Sequence, residues 1–82
     1  MNSTVRKRSL ILKGHKTSVS LEDAFWTALK EIAQQQRVSA SQLAARIDSS
    51  REHHNLSSAI RLFVLDFYRT QIQGRTDMRT AA

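Results

Sequence analysis

Lys16-Thr17-Ser18-Val19-Ser20-Leu21-Glu22-Asp23 is the stretch whose reading decides the fold. Thr17, Val19 and Leu21 fall on one side and Lys16, Ser18 and Ser20 on the other, the alternation of a strand with one buried face. The period then changes. Apolar residues recur at Leu21, Phe25, Leu29, Ile32 and Ala33, with Trp26 beside them, which is helical spacing. Ser20 stands at a helix N-cap position with an acid three residues on, and Glu22 and Asp23 suit the positive end of the helix dipole. The reading is a strand that runs straight into an amphipathic helix, closed near residue 36 by the polar Gln34-Gln35-Gln36-Arg37.

On the C-terminal side, Ser39 with Gln42 three residues later makes a capping box, and Val38 with Leu43 makes a hydrophobic staple. Leu43, Ala44 and Ile47 carry this second helix to Asp48. Ser49 to His54 contains no apolar residue and reads as a loop or a frayed end. Asn55 offers a third cap, followed by Leu56, Ile60, Phe63, Val64 and Phe67, with Leu62 and Leu65 widening the stripe. A helix so apolar is predicted to be buried, partly against another chain. On the N-terminal side, Arg8 to Leu12 is a short apolar run compatible with a strand, and Lys13-Gly14-His15 supplies a turn. The expected division is a flexible basic arm over 1–8, one folded domain over 9–72 and a mobile polar tail over 73–82.

Eighty-two residues, 40% hydrophobic and 24% charged, make one small globular domain. No cysteine is present, so disulfides and thiolate metal sites are excluded. No apolar run is long enough to span a membrane. A chain this short buries only about 60–65% of its unfolded surface, which argues for oligomerisation and against a deep catalytic pocket. The net charge of +6 is unevenly spread. Arg6, Lys7, Arg8, Lys13 and Lys16 lie in the first sixteen residues, where there is no acid. A basic segment on a nearly neutral body suits a polyanion, nucleic acid before an acidic membrane surface. The segment shares the Arg and Ser richness of a transit peptide but lacks a secretory signal's apolar core, and it is read as mature protein.

One basic strand, a capped helix, a short link and a second capped helix resemble the ribbon-helix-helix family, from about Lys16 to Ile47. The likeness extends over Lys7 to Arg69 to a bacterial branch, common in α-proteobacteria, that bears an added helix. It is carried by Lys7-Arg8-Ser9, Gly14-His15-Lys16-Thr17-Ser18-Val19-Ser20-Leu21-Glu22, Phe25-Trp26, Leu29-Lys30-Glu31-Ile32-Ala33 and Asn55-Leu56-Ser57-Ser58-Ala59-Ile60-Arg61. The resemblance implies a mainly α fold with a short N-terminal β-ribbon and a third helix. The strand would pair with the same strand of a second subunit. It implies a cytoplasmic, nucleoid-associated, sequence-specific double-stranded DNA-binding homodimer that regulates transcription as a repressor, not an enzyme and without a cofactor. The alternative is an antitoxin-like interaction module whose C-terminal helix binds a partner protein such as a toxin. Many family members have a glycine at the inter-helix turn, whereas this chain has Gln36-Arg37-Val38.

The candidate residues follow. Lys16, Ser18 and Ser20 form the outward strand face, where Lys16 can donate to guanine and serine to several base edges. Ser20 is equally readable as a helix cap, and a register shift of one residue would expose Thr17 instead. Arg6, Lys7, Arg8 and Lys13 are phosphate-contact candidates. If Arg8 to Leu12 is a second strand, a dimer's ribbon has four strands and Arg8 is held near the groove. The start of the second helix, Ser39, Ala40 and Ser41, is a phosphate site by the family resemblance, and helix N-termini suit anions in general. Val19, Leu21, Phe25, Trp26, Leu29, Ile32, Leu43, Ile47, Ile60, Phe63, Val64 and Phe67 are assigned to core and dimer interface. His53-His54 with Glu52 and Asp48 lacks the spaced third ligand of common zinc sites and reads as a surface loop. No nucleophilic triad, phosphate loop or paired-carboxylate motif can be assembled.

Overall fold

A computed structural model describes residues 4–50 and 55–81, with side chains as far as residue 72. The element order is β1 (Val5–Leu12), β2 (His15–Glu22), α1 (Asp23–Gln35), α2 (Ala40–Ser50) and α3 (Leu56–Ala81). β1 and β2 are antiparallel neighbours in register from Val5 opposite Glu22 to Leu12 opposite His15. The two residues between them, Lys13 and Gly14, have φ of 53° and 81°. Two successive positive φ values match the sense of a type I′ turn to the twist of the strands, and the glycine adopts its value without a Cβ penalty.

Each strand alternates cleanly. Leu10 and Leu12 from β1 and Val19 and Leu21 from β2 are buried on one face of the hairpin. They close a core with Leu29, Ile32 and Ala33 of α1, Leu43, Ala44 and Ile47 of α2, and Leu56, Ile60 and Val64 of α3. Phe25, Trp26, Phe63 and Phe67 pack against this core half-buried. The third helix is therefore part of the core, through its i, i+4, i+8 face.

Four expectations need correction. Val5 to Arg8 belong to β1 and not to a flexible arm, because the pairing of β1 with β2 continues to the end of β2. The same pairing moves the start of the first helix. Leu21 and Glu22 stay extended, so Glu22 (φ −64°, ψ 151°) is the N-cap, without a side-chain capping bond, and Ser20 lies inside the strand. Ser49 and Ser50 continue α2, their hydroxyls donating to the carbonyls of Ala45 and Ile47. Finally, α3 runs through the stretch read as a polar tail, to Ala81. β1 is the second strand beside the first that the Arg8 to Leu12 run allowed, paired with β2 inside one chain.

The capping box forms at α2: Ser39 N–H donates to Gln42 Oε1 at 2.8 Å and Gln42 N–H to Ser39 Oγ at 3.0 Å. Asn55 Oδ1 likewise accepts from Ser58 N–H at 2.8 Å at the start of α3. The exit from α1 is less comfortable. Arg37 N–H donates to the Gln34 carbonyl and Val38 N–H to the Ala33 carbonyl, a Schellman closure that puts Arg37 at φ 59°. A non-glycine residue there costs about 1 kcal/mol. Arg37→Gly should therefore raise stability by roughly 0.5–1 kcal/mol, with an increased urea midpoint and unchanged slope.

Candidate nucleic-acid interface

The alternation that buries four apolar residues also sorts the polar ones. Lys7, Ser9 and Ile11 of β1 share the outward face with Lys16, Ser18 and Ser20 of β2, all exposed. Ser9 lies opposite Ser18, Lys7 opposite Ser20, and Ile11 opposite Lys16. The face thus carries two lysines, three hydroxyls and one aliphatic side chain. Its nearest acid, Glu22, lies at one end and accepts a hydrogen bond from Arg61 Nε of α3 at 2.9 Å. Ser9 and Ile11 were missed by the sequence reading, which took Arg8 to Leu12 as an undivided apolar run. Carrying the alternation back across the Lys13-Gly14 turn would have found them.

The other phosphate candidates divide. Lys13 is exposed at the hairpin turn, and Lys7 is on the outward face. Arg6 and Arg8 occupy inward register positions opposite Leu21 and Val19. Arg8 is mostly buried, bonded to Asp23 and to the Leu21 carbonyl, and its guanidinium lies 5.6 Å from the centre of the Trp26 ring. Lys30 approaches the same ring at 5.6 Å. Arg8 therefore clamps β1 to the start of α1, away from the outward face. Arg6 Nε stands 3.9 Å from the same Asp23 carboxylate and remains largely exposed. Ser41 Oγ accepts from Ile11 N–H at 3.0 Å, so the start of α2 abuts the β1 edge beside the outward face. Glu52, His53 and His54 lie outside the described residues.

These ion pairs set a pH response. The hydrogen bond from Arg8, aided by the charges of Arg6 and Arg8 against a desolvation that opposes them, holds the Asp23 carboxyl below its ordinary range. Glu22 is lowered too, by its own backbone N–H first and then by Arg61. A carboxyl whose folded pKa is depressed adds stability above its unfolded pKa, near 4, and loses it as pH falls through the folded value. Circular dichroism should show stability declining below about pH 4. Asp23→Asn should flatten part of that decline.

The pattern of the ribbon-helix-helix domain matches residues 5–68, from the first residue of β1 well into α3. The chain belongs to the ribbon-helix-helix family. The fold has a two-stranded antiparallel sheet followed by two helices, with α3 added. Ribbon-helix-helix proteins are in general DNA-binding regulators that dimerise. A similar solved structure is that of an uncharacterized protein from Bordetella pertussis Tohama I, at 35% identity and a TM-score of 0.74. That match covers 90% of this chain and 63% of the Bordetella protein, so the chain spans less than two thirds of that protein's length. No curated protein matches the chain. Among the described residues, no helix of this ribbon-helix-helix protein is long and apolar enough to cross a membrane.

Proposed function

We propose that the protein is a bacterial transcription regulator, not an enzyme, which binds double-stranded DNA sequence-specifically and represses by occupying an operator. The outward face of the hairpin carries this reading: exposed Lys7, Ser9, Lys16, Ser18 and Ser20 on a rigid two-stranded ribbon. A two-stranded ribbon fits the major groove, where lysine reads guanine and hydroxyls read several edges. Lys13 at the turn and the capped start of α2 (Ser39, Ala40, Ser41) suit phosphate contacts, the latter through backbone N–H groups. The reading puts the protein in the cytoplasm, on the nucleoid.

A gel-shift series across salt concentration tests it. Affinity should fall steeply with salt, and an operator should outcompete random DNA. Lys16→Ala should weaken operator binding about tenfold and random-DNA binding much less, whereas Lys13→Ala should weaken both alike. Binding indifferent to salt, or without preference between fragments, overturns the proposal.

The homodimer belongs to the same proposal, and α3 offers an exposed apolar surface that suits it. Leu62, Leu65 and Ile72 of α3 are 51–60% exposed at positions that follow one helical stripe. A second copy is the reading preferred for that stripe, and a partner protein such as a toxin is the alternative the same stripe favours. Sedimentation separates them: Leu65→Gln should convert a dimer to a folded monomer, whereas a monomer in the unaltered protein favours the partner reading.

A further inference from the structure

The outward face of β2 ends in a carboxylate. Lys16, Ser18, Ser20 and Glu22 alternate along the strand with Thr17, Val19 and Leu21, so Glu22 continues the polar face that the lysine begins. It is the one acid in either strand of the hairpin. Its own backbone N–H and then Arg61 hold its carboxyl below the ordinary range, so it is charged at neutral pH. An uncompensated negative charge at that position repels phosphate and weakens binding to every DNA sequence.

α3 supplies the compensation. Arg61 Nε donates to Glu22 Oε1 at 2.9 Å, and Arg61 Nη2 donates to the Ser20 carbonyl at 3.3 Å. One turn earlier in α3, Ser57 Oγ accepts from Ser20 N–H at 3.0 Å. A spacing of four puts Ser57 and Arg61 on the same helix face, so both backbone polar groups of Ser20 bond to α3. The carbonyl bond fixes the guanidinium beside the carboxylate. The two side chains keep 31% and 25% of their exposure, so the pair still lies within reach of an approaching polyanion's field. A partly exposed pair contributes little to folding. Its larger effect is on the charge of the face.

We infer that Arg61 is a positioning residue for DNA binding, which acts from α3 by neutralising Glu22 at the end of the β2 face. The inference rests on the DNA-binding reading above. It concerns β2 and α3 of one subunit and holds in any assembly that leaves this face open. It gives the added helix a part in affinity, through charge and not through base choice.

Gel shifts with the full chain, on random DNA and on a duplex selected from it, test this across a range of salt concentrations. Arg61→Gln uncovers Glu22 and should weaken binding to both duplexes about tenfold at low salt, with a salt slope shallower by about one. Adding Glu22→Gln to that variant should restore affinity and slope, because no unmatched charge is left. Arg61→Lys keeps the charge and should stay close to the unaltered protein. Glu22→Gln alone frees Arg61 and should bind both duplexes more tightly, with a steeper slope. Circular dichroism checks that the variants are folded, and should Arg61→Gln unfold, the Glu22→Gln result decides. A double variant as weak as Arg61→Gln, an unchanged slope in Arg61→Gln, or weaker binding by Glu22→Gln overturns the inference and leaves the DNA reading intact. An unaltered protein that binds no DNA overturns the DNA reading and this inference with it.

Discussion

Val19→Asp should leave the chain unfolded. Val19 is 3% exposed, in the middle of the inward hairpin face, among Leu10, Leu21 and the three helices. An aspartate there is a charge without a partner, worth several kcal/mol even after the group shifts its pKa to become neutral. Small domains hold only about 5–15 kcal/mol in all, with short chains at the lower end. Circular dichroism should show the loss of helix, and light scattering no compact species. Ser18→Ala, one residue away on the exposed face, should change stability by less than about 0.5 kcal/mol. A Val19→Asp protein with native circular dichroism would refute the packing described for the hairpin.

The second large effect is expected at Ile60. This residue of α3 is fully buried, although α3 lies beyond the two helices of the minimal fold. Ile60→Ala removes three carbons from a fully buried position in the shared core and should cost about 3 kcal/mol, within the 2–5 kcal/mol typical of such truncations. An equilibrium urea titration would show a lowered midpoint with little change in slope. Were α3 an appendage that docks only when a partner arrives, the same substitution would cost less than about 1 kcal/mol. The attachment is polar as well as apolar. Arg61 bonds both the Glu22 carboxylate and the Ser20 carbonyl, and Ser57 accepts from Ser20 N–H. α3 therefore helps to set the position of β2.

Much of this protein was legible in the chain itself because short-range physics writes it there. The alternation from Lys16 to Leu21 assigned the outward and inward faces of β2. The Ser39 and Gln42 pair marked the start of α2, and Asn55 the start of α3, because a capping bond spans only three residues. The family likeness rested on the same local patterns. Other features depended on contacts that no local pattern records. Ser20 reads as a cap until β1 is seen to pair as far as Glu22, and strand pairing then outweighs the local helix signal. Arg8 looks like its neighbour Lys7 in a basic segment. The pleat sends the two to opposite faces, leaving Lys7 for solvent and binding Arg8 to Asp23 and Trp26. That Arg8 to Leu12 forms a second strand turned on a two-residue loop whose positive φ values fold β1 back onto β2. Sequence by itself determined the elements and their faces, through periodicities of two and 3.6 residues. Only the tertiary structure decided that β1 pairs with β2 as far as Glu22, since that pairing joins residues up to seventeen apart through the turn and no local pattern records it.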